Sequence, residues 1–253
     1  STLPSVAFPN LIVNFLWKPF TTKNINDNIT VLNQRKKNKE ETPVIEVKNV
    51  TKKYGANIVL NDVTVSFEKG KIHGLIGRNG SGKTMLIKCI CGFVTPSSGE
   101  ILINGEKVKN NSAQLENIGA IIETPGFLSN YSAYNNLRFL AGINKKIGKD
   151  KIKKTIEMVG LDPESKKHVG KYSLGMKQRL GLAQALMEEP DILLLDEPMN
   201  GLDKNGVGEM RTLFKSLVSS GKTIIMANHS AEDIEILCDT VYEMDCGVIN
   251  KIL

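Results

Sequence analysis

The chain carries 253 residues, 41% of them apolar, with a net charge of +6. That length suits one large domain or a domain with an appendage, and the ordinary apolar content excludes global disorder. No apolar run approaches the ~20 residues that cross a bilayer, so a soluble protein, or one peripheral to a membrane, is expected.

Half of the positive surplus falls in residues 1–43, where Lys18, Lys23, Arg35, Lys36, Lys37 and Lys39 stand against Asp27, Glu40 and Glu41. Such a segment reads as a solvated tail or as a surface for anionic lipid. Nucleic-acid binding would want aromatic residues interleaved with the cations, and none sit beside the basic run at 35–39, so no nucleic-acid partner is expected. Residues 11–17 form a short apolar run containing the only tryptophan, Trp17, between Pro9 and Pro19. The run is too short to span a membrane, and it lacks the basic start and cleavage site of a signal peptide. A docking helix, an extra segment packed on the main domain and a foreign leader remain open readings. Residues 22–42, rich in Asn, Thr and Lys without periodicity, read as a linker. The composition shift near Pro43 divides the chain into an extension, 1–43, and a main domain, 44–253.

Val44-Ile45-Glu46-Val47 alternates like an edge strand, and so does Val63-Thr64-Val65-Ser66-Phe67. Ile72-His73-Gly74-Leu75-Ile76 reads as a buried strand, followed by Gly77-Arg78-Asn79-Gly80-Ser81-Gly82-Lys83-Thr84 and a helix from Met85 to Ile90. The eight residues fit G-x-x-x-x-G-K-[ST], a phosphate-binding loop. Gly77, Gly80 and Gly82 let the backbone curl so that N–H groups, Asn79 and Ser81 included, point at phosphate oxygens, and the helix N-terminus adds its partial positive charge. Lys83 should reach the β- and γ-phosphates, and the Thr84 hydroxyl should ligand Mg²⁺. The competing reading, a glycine turn that binds nothing, leaves Lys83 and Thr84 in register without a reason. A nucleoside triphosphate is the expected ligand.

A strand at 99–105 is bounded by turn glycines, and residues 134–160 read as amphipathic helix, with Leu137, Leu140, Ile152, Ile156 and Val159 as apolar positions. Asp191-Ile192-Leu193-Leu194-Leu195 and Lys222-Thr223-Ile224-Ile225-Met226-Ala227 are continuous apolar runs, as in strands of a parallel sheet buried on both faces. The first delivers Asp196 and Glu197 at its C-terminal end, where ligands sit in open α/β sheets. Asp196 there can hold Mg²⁺ through water, and Glu197 can polarise an attacking water. Cys89, Cys91, Cys238 and Cys246 lack C-x-x-C spacing and a His cluster, so all four are expected as buried thiols of an intracellular protein. His73 and His168 carry no functional signal.

Tyr172-Ser173-Leu174-Gly175-Met176-Lys177-Gln178-Arg179 resembles the signature motif of the ATP-binding-cassette ATPases, usually Leu-Ser-Gly-Gly-Gln. The other family elements follow in order over roughly residues 44–253. The resemblance implies that Tyr54 stacks on adenine, that residues 77–84 and 192–197 are the Walker A and B motifs, and that Asn200-Gly201-Leu202-Asp203 is the D-loop. It makes His229 the switch histidine. It implies an α/β P-loop NTPase core, a mostly parallel sheet flanked by helices, with an antiparallel β subdomain and a helical subdomain, roughly 124–185, carrying the signature. Two domains would sandwich two ATP molecules head to tail, Ser173 and Gly175 of one facing the γ-phosphate of the other, with Glu197 as base and His229 contacting the γ-phosphate.

Leu174 and Met176 depart from the family pattern, and Glu123 stands where the family has a glutamine near Mg²⁺. A carboxylate cannot donate a hydrogen bond as an amide does. These departures are similar to bacterial ATPases of bacitracin- and lantibiotic-type export and self-protection. The expected protein is therefore the ATPase subunit of a transporter, using ATP and Mg²⁺, paired with an identical or sister ATPase and docked on a separate membrane permease at the cytoplasmic face. Phe127 and Tyr131, in the loop at 124–135, are candidate docking residues, with packing into the domain's own core as the competing reading. A soluble ATP switch of the same fold is the alternative.

Overall fold

Alternation builds the first sheet. β1 (Pro43–Tyr54) buries Ile45, Val47 and Val50, and β2 (Asn57–Glu68) buries Leu60, Val63, Val65 and Phe67, leaving most intervening residues more open. The two form a hairpin closed by Gly55, at φ 60, and Ala56. With β4 (Ser98–Ile103) and β5 (Glu106–Lys107) they make an antiparallel sheet in the order β2-β1-β4-β5. The computed structural model describes residues 43–109, 116–123, 126–144 and 147–253. The apolar run at 11–17, the linker at 22–42, the cations from Lys18 to Lys39, and Thr124 and Pro125 lie outside the described residues.

Residues 44–47, expected at a sheet edge, lie instead on an inner strand, paired with both β2 and β4. Their alternation reflects a sheet with one buried face, which gives inner and edge strands of an antiparallel sheet the same pattern. Residues 63–67 do lie on an edge strand.

The second sheet comprises β3 (Ile72–Ile76), β6 (Ile118–Ile121), β7 (Ile192–Asp196), β8 (Thr223–Ala227), β9 (Thr240–Asp245) and β10 (Val248–Lys251), in the order β10-β9-β3-β8-β7-β6. Only β10 pairs antiparallel. β3, β7 and β8 are buried at every position, as expected from the buried-strand reading of residues 72–76 and the unbroken apolar runs of the other two. Helix α1 (Lys83–Ile90) joins the sheets: Leu86, Ile87, Cys89 and Ile90 share one core with Ile45 and Phe67 of the first and with Leu75, Leu194 and Ile225 of the second.

Between β6 and β7 lie α2 (Ala133–Asn144), α3 (Lys149–Met158), a 3₁₀ turn (Val169–Lys171) and α4 (Leu174–Leu186). The helical stretch expected over 134–160 is thus two helices. Gly148 is extended (φ −87, ψ 169) as the N-cap of α3, so the second helix starts anew there. Leu137, Ile152, Ile156 and Val159 are all buried, as predicted. α5 (Lys204–Ser219) precedes β8, and α6 (Ala231–Leu237) follows it. Among the described residues, no helix is long and apolar enough to cross a membrane.

His73 is a satisfied core histidine, its Nδ1 2.5 Å from Thr240 Oγ1 and its Nε2 2.8 Å from the Glu68 carbonyl. His168 is exposed and pairs with Ser132 through an isolated bridge. Cys89, Cys91 and Cys238 are free and buried, and burial pushes the Cys89 and Cys91 thiols up to about 11 and about 12. Cys246 corrects the expectation of four buried thiols: it is exposed in the β9–β10 turn, at φ 48.

Candidate functional site

Because β8 lies between β3 and β7, the C-terminal ends of three buried strands open side by side. The loop after β3 supplies the phosphate-binding motif. Gly77 is at φ 141, and a Cβ there would lie 2.1 Å from the Met244 carbonyl oxygen, so no other residue fits. Gly82, at φ 111, precedes α1, and no side chain caps that helix end. A helix terminus left uncapped offers its N–H groups to an anion. Ser81 Oγ is buried without a hydrogen-bond partner among the described residues.

A cavity of about 460 Å³ opens over this loop, lined by Asn79, Gly80, Ser81, Gly82, Lys83, Thr84, Glu123, Asp196, Glu197 and His229, with Val59, Met85 and Lys88. Ten of the residues singled out from the sequence therefore meet in one place. Lys83 folds back and donates to the Gly77 and Arg78 carbonyls at 2.7 and 3.0 Å. Burial lowers its pKa, against the raising effect of Glu197 and Asp196. Thr84 Oγ1 donates to Asp196 Oδ2 at 2.6 Å, a hydroxyl and a carboxylate held together across 112 residues of chain.

Glu197 follows β7 in the left-handed region, at φ 52, with its N–H donating to the Ala227 carbonyl at 3.0 Å. Non-glycine residues held there are strained and cluster at functional sites. Burial first, then the neighbouring Asp196 charge, push its carboxyl up to about 7, against the pull of Lys83. Its Oε1 lies 2.7 Å from His229 Nε2, and His229 is itself lowered, mainly by burial and then by Lys83. A carboxyl raised by burial, beside an imidazole whose charged form burial disfavours, suits proton transfer. Glu123, at φ 59, pairs with Lys88 Nζ at 2.5 Å.

The remaining predicted residues lie outside this lining. Tyr54 is exposed, with its hydroxyl 4.0 Å from Sδ of Met85 in the cavity wall. Ser173 is the N-cap of α4, its Oγ accepting from the Met176 N–H at 3.2 Å. Gly175 is packed so closely on the Gly201 carbonyl that an added Cβ would sit 2.6 Å from it. Asp203 caps α5 by accepting from the Gly206 N–H at 2.8 Å. The first turn of α4 and the 200–203 turn are therefore one packed unit, apart from the cavity.

A family model described as ABC transporter matches residues 60–200. The chain belongs to the ABC transporter family. The bacitracin transport ATP-binding protein BcrA of Enterococcus faecalis is 44% identical over 206 residues, covering 81% of this chain and 67% of its own length. The lantibiotic transport ATP-binding protein SrtF of Streptococcus pyogenes is 38% identical over 198 residues, covering 78% and 85%. Among solved structures, cbiO1 from Clostridium perfringens, part of the ABC transporter complex cbiONQ, superposes with a TM-score of 0.72 at 28% identity over 83% of this chain and 88% of that one. A dimeric ATP-binding cassette bound to ADP and Pi shares the fold, with a TM-score of 0.75 at 22% identity over 83% and 99%. The ABC cassette described here is thus an α/β P-loop ATPase that binds ATP, the subunit class to which the transport ATP-binding proteins belong.

Sequence reasoning assigned no part to several residues that shape this ABC site. Gln178 is buried in α4 and donates its Nε2 to the Glu197 carbonyl at 3.0 Å. Asn228 is buried beside His229, and Lys88 holds Glu123. A polar residue inside a helix that is otherwise packed, as Gln178 is, is the one signal that could have been noticed.

Proposed function

We propose that this ABC cassette binds and hydrolyses ATP to drive a separate membrane permease, exporting antimicrobial peptides or drugs or protecting against them. The observation that carries the reading is the Glu197–His229 pair, 2.7 Å apart in the lining of the phosphate-binding cavity, where burial pushes the carboxyl up. Lys83 exchanges the Gly77 and Arg78 carbonyls for phosphate oxygens. Glu197 takes the proton of the attacking water, and His229 meets the γ-phosphate. Thr84, Asp196 and Glu123 offer hard oxygen donors that fit Mg²⁺, which supplies charge neutralisation on the phosphates when bound. Tyr54 stacks on adenine. Ser173, Gly175 and Asp203 belong to the face that meets a second ATPase subunit, identical or sister, and complete that partner's site.

In this reading residues 44–253 are the nucleotide domain, with a helical part at roughly 124–185, and residues 1–43 are an extension. The permease docks near residues 126–135 on the cytoplasmic face. Tyr131 supports this: it is exposed and stacks edge-on against the exposed Phe139, with ring centroids 5.0 Å apart, instead of entering the core. The peptide substrate class is supported by the bacitracin and lantibiotic transport relatives.

The test is an affinity pull-down of tagged Glu197→Gln protein, with ATP and Mg²⁺, from detergent-solubilised membranes of the source cell. Recovery of a multi-span membrane protein is expected. Recovery of soluble partners alone would overturn the transport reading in favour of an ATP switch of the same fold.

A further inference from the structure

His229 is only loosely held by its side chain. Its side chain is 48% exposed, and its close polar neighbour is Glu197. Its position is therefore set by its backbone, and that backbone is bracketed on both sides by one buried carboxylate. Asp233, 4% exposed in the first turn of α6, takes the Asn228 Nδ2 on its Oδ2 at 3.1 Å. Asn228 Oδ1 accepts from the Ser230 N–H at 3.0 Å, and Ser230 Oγ accepts from the Asp233 N–H at 3.3 Å. The residues before and after His229 are thus closed into a ring on Asp233.

A buried carboxylate is tolerated when it is paired and hydrogen-bonded. The partner is Arg211, two turns into α5, which donates Nε at 2.8 Å and Nη2 at 2.5 Å to Asp233 Oδ1 and Nη1 at 3.0 Å to Glu232 Oε1. A planar guanidinium spreading over two carboxylates fixes orientation as well as distance.

We propose that Arg211, Asp233 and Asn228 form a clamp that holds His229 in register with Glu197, making them positioning residues for ATP hydrolysis. The proposal rests on reading His229 as the γ-phosphate contact. α5, which carries Arg211, begins at the Asp203 cap, so the clamp ties the switch histidine to the 200–203 turn. Its chemistry predicts an effect on turnover and none on the phosphate loop, since neither Arg211, Asp233 nor Asn228 lines the cavity over Lys83.

The experiment uses the full chain and two readouts. The first is steady-state ATP hydrolysis of Asp233→Asn and Arg211→Met, with Arg211→Lys as the conservative control. The second is imidazole NMR, which is simple to assign because the chain holds three histidines. The expected result is a kcat lower by about tenfold to a hundredfold with KM for ATP unchanged, since small misplacement of a reacting group has that cost. The His229 resonance shifts or broadens, while those of His73 and His168 stay in place, and Arg211→Lys recovers part of both effects. Unchanged kcat together with an unmoved His229 resonance would overturn the clamp. Should Asp233→Asn lose the His73 resonance, and hence its fold, Arg211→Met decides. If the parent chain turns over no ATP, the functional reading fails, and the ring resonances still decide whether the clamp orders His229.

Discussion

The two ends of this cassette that carry the sequence motifs are built differently. At the phosphate loop, residues from three strand ends converge on one cavity and already touch: Thr84 with Asp196, and Glu197 with His229. At the signature end, Ser173 and Gly175 satisfy their own helix and the neighbouring turn, and neither lines the cavity over the phosphate loop. The first end is complete within one chain, whereas the second has its polar groups committed locally and its ligand, under the proposed reading, supplied from outside. A parallel sheet collects residues distant in sequence at its carboxyl edge, while a helix N-terminus can only present what its own first turn carries.

Changes at the complete end should act on chemistry and nucleotide affinity directly. Glu197→Gln should slow hydrolysis by roughly 10²–10⁴-fold, the usual range for a general base, while ATP still binds and a dimer accumulates on gel filtration. Hydrolysis at the parent rate would remove Glu197 from the mechanism. Lys83→Ala should weaken ATP binding by about 10–100-fold, the worth of a charged hydrogen bond, as read by titration calorimetry. At the incomplete end, Gly175→Ala places a methyl 2.6 Å from the Gly201 carbonyl. Overpacking of that kind costs about 1–3 kcal/mol. It should lower hydrolysis by roughly tenfold in concentrated protein with ATP affinity of the single chain intact, and a loss of affinity would show that the two ends are not separable.

The Glu197 carboxyl also leaves a mark on stability. Its folded value, about 7, lies above the ordinary 4.5, so folding favours the protonated form. The group costs nothing below pH 4.5, and its penalty grows as pH rises, reaching its full size above about 7. Discounted for partial exposure, the penalty is on the order of 1–2 kcal/mol. Urea titrations at pH 5 and pH 8 should show that loss in the parent and not in Glu197→Gln. The smallest effect is expected for Glu123→Gln, which keeps an oxygen donor for Mg²⁺ and removes a pair to Lys88 exposed enough to contribute about 0.2–1 kcal/mol. A fall of tenfold or more in hydrolysis would show that the site needs the carboxylate charge and not only an oxygen donor.

Much of this was legible because the informative signals are local. The phosphate loop is contiguous, and strands buried on both faces write unbroken apolar runs, so β3, β7, β8 and the carboxylates at the end of β7 could be read directly. The inner position of β1 could not, since one-sided burial gives the same alternation at the edge and inside a sheet. The interruption between α2 and α3 was hidden because the apolar positions at 137, 152, 156 and 159 keep a helical pattern across it. Contacts that join distant helices leave no local trace. Arg211 and Asp233 lie 22 residues apart on two elements, and only their packing brings a guanidinium onto a buried carboxylate.

Gln178 sets a distance as well as a contact. It lies five residues beyond Ser173 in the same helix, about 7.5 Å along the axis, and its amide holds the carbonyl of Glu197. Through that amide, Ser173 at the start of the helix and Glu197 beside the cavity are tied to one rigid element, so in the proposed head-to-tail pair a displacement at one would reach the other through little more than one turn of helix.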